Sequence, residues 1–199
     1  MTIHPEEVDR FFALLERPAI QQLLQKDGCY TLADSFLLAM AFIYFKRAGL
    51  REEEYTERNF WLALYLAHDQ EEDEDRTKWE LLPWALGETW MTSFTSFMVD
   101  KDALWRRMGY RSLVHPRQCR QVMALSPRSQ AWSRVRSPDH GGALRMCKDE
   151  EPYMPRGPLL ASPGCSRCPP AVTEESESQQ LGGEVGTDGE EELEIFSLI

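Results

Sequence analysis

The sequence has few of the features that mark membrane-spanning and secreted proteins. No apolar run is long enough to span a bilayer, and the longest is the ten residues from Phe36 to Phe45. The five cysteines are odd in number and irregularly spaced, which predicts reduced thiols rather than a disulfide framework. The first residues, MTIHPEEVDR, are acidic where a signal peptide would be basic and then apolar, which argues against secretion.

Motifs for catalysis and metal binding are also lacking. The sequence contains no Gly-rich phosphate loop, no G-x-S-x-G and no HExxH, and its four histidines do not share the spacing of a helical metal site. The one C-x-x-C, from Cys165 to Cys168, has no second cysteine pair nearby, which favours free thiols. We therefore predict no enzymatic activity and no cofactor. A small metalloenzyme that uses the cysteines and His140 is an alternative.

The net charge of −11 is unevenly distributed along the chain. Residues 51–80 carry four bases against eleven acids, whereas residues 100–148 carry eleven bases against three acids. An acidic and a basic segment in one domain favour a charged macromolecular partner over a small substrate. Ordinary solvated surfaces are the alternative for both segments.

Apolar residues recur at helical spacing through the first two thirds of the chain. The segment EEVDRFFALLERPAIQQLLQK predicts two short helices that are separated at Pro18. Helices are then predicted from about Tyr30 to Arg47 and from about Glu52 to His68. Both are apolar nearly all the way round, which places them at the centre of the domain.

Pro83 and the spacing of the apolar residues divide the segment after His68. Pro83 argues against a long helix from the capping-box sequence at Thr77. We predict helices from about Pro83 to Met98, from about Asp100 to Met108 and from near Pro116. No convincing strand pattern alternates between apolar and polar residues, so the predicted fold class is all-α.

Five consecutive acids, Glu71 to Asp75, follow the apolar run Phe60 to Ala67. They lie just beyond the predicted helix end, where the helix dipole disfavours further negative charge. A solvated loop would account for them. The other interpretation is an exposed carboxylate surface for arginines of a partner, because such pairs become strong when the partner desolvates them.

The composition changes near residue 137. The remainder is rich in Pro, Gly, Ser and Glu, and residues 151–199 carry ten acids against two bases, a net charge of −8. Such a segment buries too little apolar surface to offset its ordering entropy. We predict a compact helical domain over residues 1–136 and a mostly disordered acidic tail over residues 137–199, with disorder from about residue 155.

Ten short segments carry a family resemblance. They are ADSFLLAM (33–40), YFKRA (44–48), RNFWLALYLA (58–67), EEDED (71–75), LPWALG (82–87), LWRRMGYRS (104–112), CRQVMALSP (119–127), AWSRVRS (131–137), HGGALR (140–145) and PRGP (155–158). In sequence and order they resemble the Speedy/RINGO proteins, a family of activators of cyclin-dependent kinases. The likeness extends from about residue 8 to residue 168.

The resemblance implies a cyclin-box-like helical fold that binds a cyclin-dependent kinase and activates it without phosphorylation of its activation loop. It implies that Asp34 approaches that loop and stands in for its phosphate. From the residues alone, Asp34 would merely serve the dipole of its own helix. The resemblance also implies that an acid cluster takes part in kinase binding, here Glu71, Glu72, Asp73 and Glu74.

A second likeness concerns the anchoring of the kinase. The segment LYLAHDQEED resembles the cyclin pattern LLASKFEE, whose lysine helps to hold the mobile C helix of the kinase. Asp69 stands at the corresponding position and has the opposite charge. The anchoring contacts are therefore expected to differ from those of a cyclin.

Together these observations predict a non-enzymatic kinase activator. The expected partner is a cyclin-dependent kinase in a heterodimer with one copy of this chain, and neither nucleic acid nor a membrane is expected as a partner. The chain would select a kinase conformation with its C helix in and its activation loop ordered. The resemblance implies the nucleus, with some cytoplasm, and the basic cluster Arg134-Val135-Arg136 agrees with it. The alternative is a helical adaptor that binds a kinase or another basic protein without activating it.

Overall fold

The computed structural model describes residues 2–72, 75–137, 140 and 157–158. This part of the chain is built from α-helices and short 3-10 turns and contains no strand, so the predicted all-α class is confirmed. The α-helices are α1 (Pro5–Leu15), α2 (Pro18–Lys26), α3 (Ser35–Ala48), α4 (Glu57–Glu71), α5 (Asp75–Leu86), α6 (Trp90–Arg107) and α7 (Pro116–Met123).

Little of the predicted tail belongs to the described residues. Within 137–199 they are Ser137, His140, Gly157 and Pro158. The rest of the segment lies outside them, as does the C-x-x-C of residues 165–168. The domain boundary after residue 136 stays a prediction.

Helices α3 and α4 form the centre of the domain, as their unbroken apolar sequences predict. Every residue from Leu37 to Phe45 in α3 and from Phe60 to His68 in α4 is buried. Helices α5 and α6 cover α4, whereas α7 covers α3. From α1, the ring of Phe11 meets Phe42 and Phe45 edge-on at centroid distances of 5.3 and 5.7 Å. Helices that are apolar on all sides are stable in water only with such coverage.

Helix α3 begins at Ser35 rather than near Tyr30, because Asp27 holds the preceding loop. The Asp27 carboxylate accepts hydrogen bonds from three successive backbone N–H groups at 2.9 to 3.2 Å, those of Thr31, Leu32 and Ala33. These groups are therefore satisfied without a helix, which is how a short acidic side chain competes with helix formation.

Arg134 fastens the end of the domain to this loop. Its Nη2 lies 2.9 Å from Oδ2 of Asp27, and its guanidinium also donates to the backbone carbonyls of Leu24 and Ala33. Both charged side chains are buried, and each supplies the counter-ion that the other needs in a low dielectric. The residues after Arg134, including Arg136, are thereby held against the start of α3.

Helix α4 is shifted relative to the predicted range. A 3-10 turn at Glu52–Glu54 precedes it, and the Thr56 hydroxyl caps its first turn, so the helix begins at Glu57. It ends at Glu71 instead of His68. The first acid of the block is consequently part of the last helical turn.

The prediction that Pro83 prevents a helix from the Thr77 region is wrong. Helix α5 passes through Pro83 and ends at Leu86. The break comes at Gly87, whose φ of +70° lies in the left-handed region that glycine adopts without strain. Leu82 and Pro83 are buried, and this packing offsets the backbone hydrogen bond that proline cannot make.

Helix α6 is a single helix of 18 residues, so the prediction of separate helices at Pro83–Met98 and Asp100–Met108 is wrong. Its fully buried residues, Phe97 and Leu104, are two helical turns apart on one face, which keeps the same side toward the core. The predicted helix near Pro116 is confirmed as α7.

Gly157 and Pro158 contact the helical domain. Gly157 is buried against Pro83 with a φ of +63°, and a Cβ placed on it would lie 2.4 Å from the Pro83 Cβ. The amine of Lys26 donates to the carbonyl oxygen of Pro158. This contact admits only glycine at position 157 without rearrangement.

Candidate functional site

Asp34 is the N-cap residue of α3. Its Oδ1 accepts a hydrogen bond from the backbone N–H of Leu37 at 2.8 Å. Its other carboxylate oxygen, Oδ2, lies 3.1 Å from Nε of Arg136. The Nε–H is not aligned for a hydrogen bond, so this contact is an ion pair. Asp34 thus has a structural role in its own helix and a charged partner from the end of the domain.

Glu72 shares that partner. It is the first residue after α4, and its Oε1 accepts a hydrogen bond from Nη1 of Arg136 at 2.6 Å. The Arg136 cluster, as we name Asp34, Glu72 and Arg136, therefore joins the start of α3 to the end of α4. The three side chains are 14%, 10% and 9% exposed, respectively. A guanidinium between two carboxylates at this burial holds both of them in fixed positions.

Carboxylates outnumber guanidiniums in and around the Arg136 cluster. Burial raises the pKa of Asp34, and its hydrogen bond from Leu37 and the nearby Arg136 charge oppose that rise. Partial desolvation of its carboxylate and then the neighbouring Glu72 raise the pKa of Glu71 as well, although the residue as a whole is exposed. Asp34 and Glu72 pair with one guanidinium and Glu71 adds a third carboxylate nearby, so negative charge is in excess at this place.

The structure brings together part of the predicted site. Asp34, Glu71 and Glu72 lie near one another, whereas Asp73 and Glu74 lie outside the described residues. Glu71 is exposed, as the carboxylate-surface interpretation predicts. The expectation that all acids of the block are exposed is wrong for Glu72, because Arg136 draws its side chain inward.

Sequence reasoning missed the central residue of the cluster. The sequence pattern shows Arg136 only as part of a basic pair with Arg134, in agreement with nuclear residence. Both guanidiniums are instead turned inward and engaged by carboxylates. No local signal distinguishes them from free basic residues, since their partners are 64 or more positions away.

Asp69, which stands where a cyclin has its lysine, is engaged within the domain. Its two carboxylate oxygens lie 2.8 Å from Nζ of Lys78 in α5 and 2.9 Å from Nζ of Lys101 in α6. The side chain is mostly buried. Asp69 therefore ties three helices together and has little charge left for a partner.

Exposed apolar side chains flank the acids. Phe36 follows Asp34 by two residues, and Val135, which is 71% exposed, precedes Arg136. A hydrogen bond of 2.8 Å from Ser112 to Gln70 holds the segment before Leu113 at the last turn of α4, the Leu113 carbonyl accepts a hydrogen bond from Arg47, and the Leu113 residue is 80% exposed. Apolar side chains next to desolvated charges are typical of the centre of protein–protein interfaces.

The described residues show little evidence of a metal site, a reactive thiol or a membrane-spanning helix. They contain no group of three or more His, Cys, Asp or Glu residues placed to hold a metal ion. Cys119 is buried, and burial raises the pKa of its thiol to about 11, so it is not a reactive thiolate. Among the described helices, none combines the length and apolar character that crossing a bilayer requires.

Comparison with known proteins places the chain in a family. The family model described as Spy1, cell cycle regulatory protein, matches residues 6–136. Human Speedy protein C is 46% identical over 163 residues, which cover 82% of this chain and 60% of that protein. Rat Speedy protein A is 44% identical over 168 residues, covering 84% and 54%, and human Speedy protein E4 is 33% identical over 136 residues, covering 68% and 57%.

The chain spans little more than half the length of these relatives. The matches confirm the resemblance that the motifs indicate. The chain therefore belongs to the Spy1 family of cell cycle regulatory proteins, the Speedy proteins.

Proposed function

We propose that the chain binds a cyclin-dependent kinase and activates it without requiring phosphorylation of the kinase's activation loop. The observation that carries the proposal is the Arg136 cluster, where Asp34 and Glu72 hold one guanidinium. An unphosphorylated activation loop lacks the dianion that would gather the arginines of the kinase. A fixed pair of carboxylates provides similar charge and hydrogen-bond acceptors from outside the kinase.

Arg136 would hold the two carboxylates in position before the kinase binds. Without a counter-ion, two neighbouring buried carboxylates would repel each other and tend to take up protons. Arg136 opposes this repulsion and holds both carboxylates in place while leaving an excess of negative charge, to which Glu71 adds. The kinase then meets acceptors that are already in position, so that less ordering free energy is spent on binding.

The exposed apolar side chains Phe36, Leu113 and Val135 would supply the remaining contact area. Their burial by the kinase would exclude water from the acids and strengthen the charged contacts. The kinase state with an ordered activation loop makes these contacts, and the chain would populate that state by binding it more tightly than the others.

The test combines co-purification with a turnover assay. The purified full chain is mixed with an unphosphorylated cyclin-dependent kinase, and complex formation and phosphorylation of a model substrate are measured. The proposal expects a stable complex and a large rise in turnover. Co-purification without a rise in turnover would instead support the adaptor, and the absence of a complex with any member of a kinase panel would exclude both the activator and a kinase-binding adaptor.

We further propose that the chain acts without catalysis of its own and resides in the nucleus, with some cytoplasm. Only the family resemblance that the sequence motifs carry supports the nuclear location. The basic pair Arg134 and Arg136 does not, because both side chains are engaged in ion pairs. Imaging of a fluorescent fusion of the full chain tests the location, and exclusion from the nucleus would contradict it.

A further inference from the structure

Ser137 lies at the edge of the Arg136 cluster. It directly follows Arg136, is exposed, and belongs to no helix. The preceding residues are fastened to the domain by the ion pairs of Arg134 and Arg136. Its carbonyl oxygen accepts a hydrogen bond from the backbone N–H of His140 at 2.9 Å. Ser137 is therefore exposed directly after residues that ion pairs hold to the domain.

Ser137 is followed by a proline, and the chain contains two other serines of this kind, Ser126 and Ser162. Ser126 is only partly exposed and lies in a turn, with its N–H bonded to the carbonyl of Met123 and its own carbonyl to the N–H of Ser129. Ser162 lies outside the described residues. Ser126 thus provides a matched comparison, with the same dipeptide in a less accessible setting.

We propose that Ser137 is a phosphorylation site for a proline-directed protein kinase, and that its phosphate regulates the surface around the Arg136 cluster. In the reaction the Ser137 Oγ attacks the γ-phosphorus of ATP, the bond to the bridging oxygen of ADP breaks, and the hydroxyl proton passes to the catalytic aspartate of that kinase. The regulatory part of the proposal rests on the proposed function of the chain.

The phosphate would change the charge of the cluster in a defined direction. It adds a charge of roughly −1.5 to −2 and three strong acceptor oxygens at neutral pH. Asp34, Glu71 and Glu72 already exceed the single charge of Arg136 at this place. The modified surface therefore attracts a basic partner more strongly, and the phosphate also competes with Asp34 for the guanidinium.

The site itself is tested on the full chain with ATP and a proline-directed kinase whose activity does not depend on this chain. Phosphate occupancy at each serine is followed by mass spectrometry. We expect Ser137 to be modified several-fold faster than Ser126, and Ser137→Ala to lose the corresponding phosphate while Ser126→Ala keeps it. The absence of phosphate at Ser137, or an equal rate at Ser126, would overturn the proposal.

The regulatory effect is tested by comparing the phosphorylated and unmodified chains for affinity to an unphosphorylated cyclin-dependent kinase. We expect the phosphorylated chain to bind several-fold more tightly at low salt, with a smaller difference at high salt because exposed charges are then screened. Equal or weaker binding of the phosphorylated chain at low salt would overturn the regulatory role. If the unmodified chain binds no kinase, the proposed function fails, while the occupancy measurement still decides the modification site.

Discussion

The guanidinium of Arg136 binds the Asp34 carboxylate, with Nε 3.1 Å from Oδ2, at the same time as Asp34 caps helix α3 through Leu37. One carboxylate therefore serves its own helix and the charge balance of the cluster. A substitution is informative about partner binding only if it keeps the cap and removes the charge.

Asp34→Asn meets that condition, since an asparagine amide oxygen also accepts a hydrogen bond at an N-cap. We expect binding to an unphosphorylated cyclin-dependent kinase to weaken by roughly 2–5 kcal/mol, because a desolvated arginine of the kinase loses its counter-ion. Activation of that kinase should fall further. A kinase already phosphorylated on its loop should be much less affected, because its own phosphate supplies the charge.

The measurements are affinity and turnover with both forms of the kinase. Asp69→Asn is the matched control, because Asp69 is a carboxylate of similar burial that pairs with Lys78 and Lys101 and not with Arg136. It should lower thermal stability and leave kinase activation in place. If Asp34→Asn lowers affinity and turnover equally with both forms of the kinase, Asp34 is a docking contact and does not replace the phosphate. Unchanged affinity would show that Asp34 is not in the interface.

The two acids at the end of α4 are expected to behave differently. Glu72→Gln leaves Arg136 with one carboxylate in a mostly buried position, which should lower the free energy of unfolding by about 1–3 kcal/mol. Glu71→Gln removes an exposed like charge and should leave stability unchanged or slightly higher. Thermal denaturation separates the two variants, and equal stability would mean that the contact between Glu72 and Arg136 is not formed in solution.

Both variants should weaken kinase binding, and more so at low salt. Exposed charges act over only about 8 Å at physiological ionic strength, so high salt reduces the contribution of Glu71 in particular. Wild-type affinity of both variants at low salt would show that these two acids belong to a solvated region and take no part in docking.

Stability should fall in mild acid because of His68. This histidine of α4 is fully buried, and burial lowers the pKa of its imidazole to about 4, against about 6.5 when unfolded. Its Nε2 lies 2.8 Å from the carbonyl oxygen of Leu32, so a proton on Nδ1 would place an unpaired charge in the core. The unfolded state then binds more protons than the folded state, and stability is lost as pH falls below about 6.5.

The loss should approach about 3 kcal/mol as pH nears 4, and denaturant unfolding between pH 7 and pH 5 measures its first part. His68→Gln is the control, since a glutamine amide can donate to Leu32 but does not titrate. This variant should show a flatter pH dependence over that range. An equal slope in both proteins would assign the pH dependence to other groups.

Gly157→Ala should destabilise the chain by about 1 kcal/mol or more. The added Cβ would meet Pro83 at 2.4 Å, and the residue would also have to keep a positive φ. Gly28→Ala is the matched control, because a Cβ on Gly28 has no neighbour within 4 Å. Thermal denaturation of the two variants is the measurement, and equal midpoints would show that the contact with Pro83 adds no stability.

Truncation before Glu151 should lower stability, as Gly157→Ala does, and should leave kinase binding in place. It removes Gly157 and Pro158, which touch α5 and Lys26, but none of the residues of the Arg136 cluster. Loss of kinase binding by the truncated chain would place residues after 150 in the interface.

Local signals predicted those parts of the fold that local chemistry decides. Pro18 separates α1 from α2, Pro116 begins α7, and the unbroken apolar runs of α3 and α4 lie at the centre. Pro83 misled because its local penalty of roughly 3 kcal/mol is offset by burial, which depends on the rest of the fold. The helix boundaries of the structure therefore agree with the predicted ones only where distant packing does not outweigh local preferences.

In the candidate site, too, local motifs identify some residues, whereas others depend on distant contacts. The motifs identify Asp34 and the acid block, and the structure places Asp34 near Glu71 and Glu72. Arg136 was not identified, because its function comes from two carboxylates on other helices and not from its neighbours in the chain. The inward position of Glu72 follows from the same distant contact.

The ion pair between Arg134 and Asp27 also sets the order of events during synthesis. Asp27 leaves the ribosome 107 residues ahead of its counter-ion, which corresponds to about 5 to 20 s of translation. During that interval the loop before α3 has no guanidinium to neutralise the carboxylate at its centre. The contacts of longest sequence separation, and with them the cooperative stability of the domain, can therefore form only when the last segment of the helical domain has emerged.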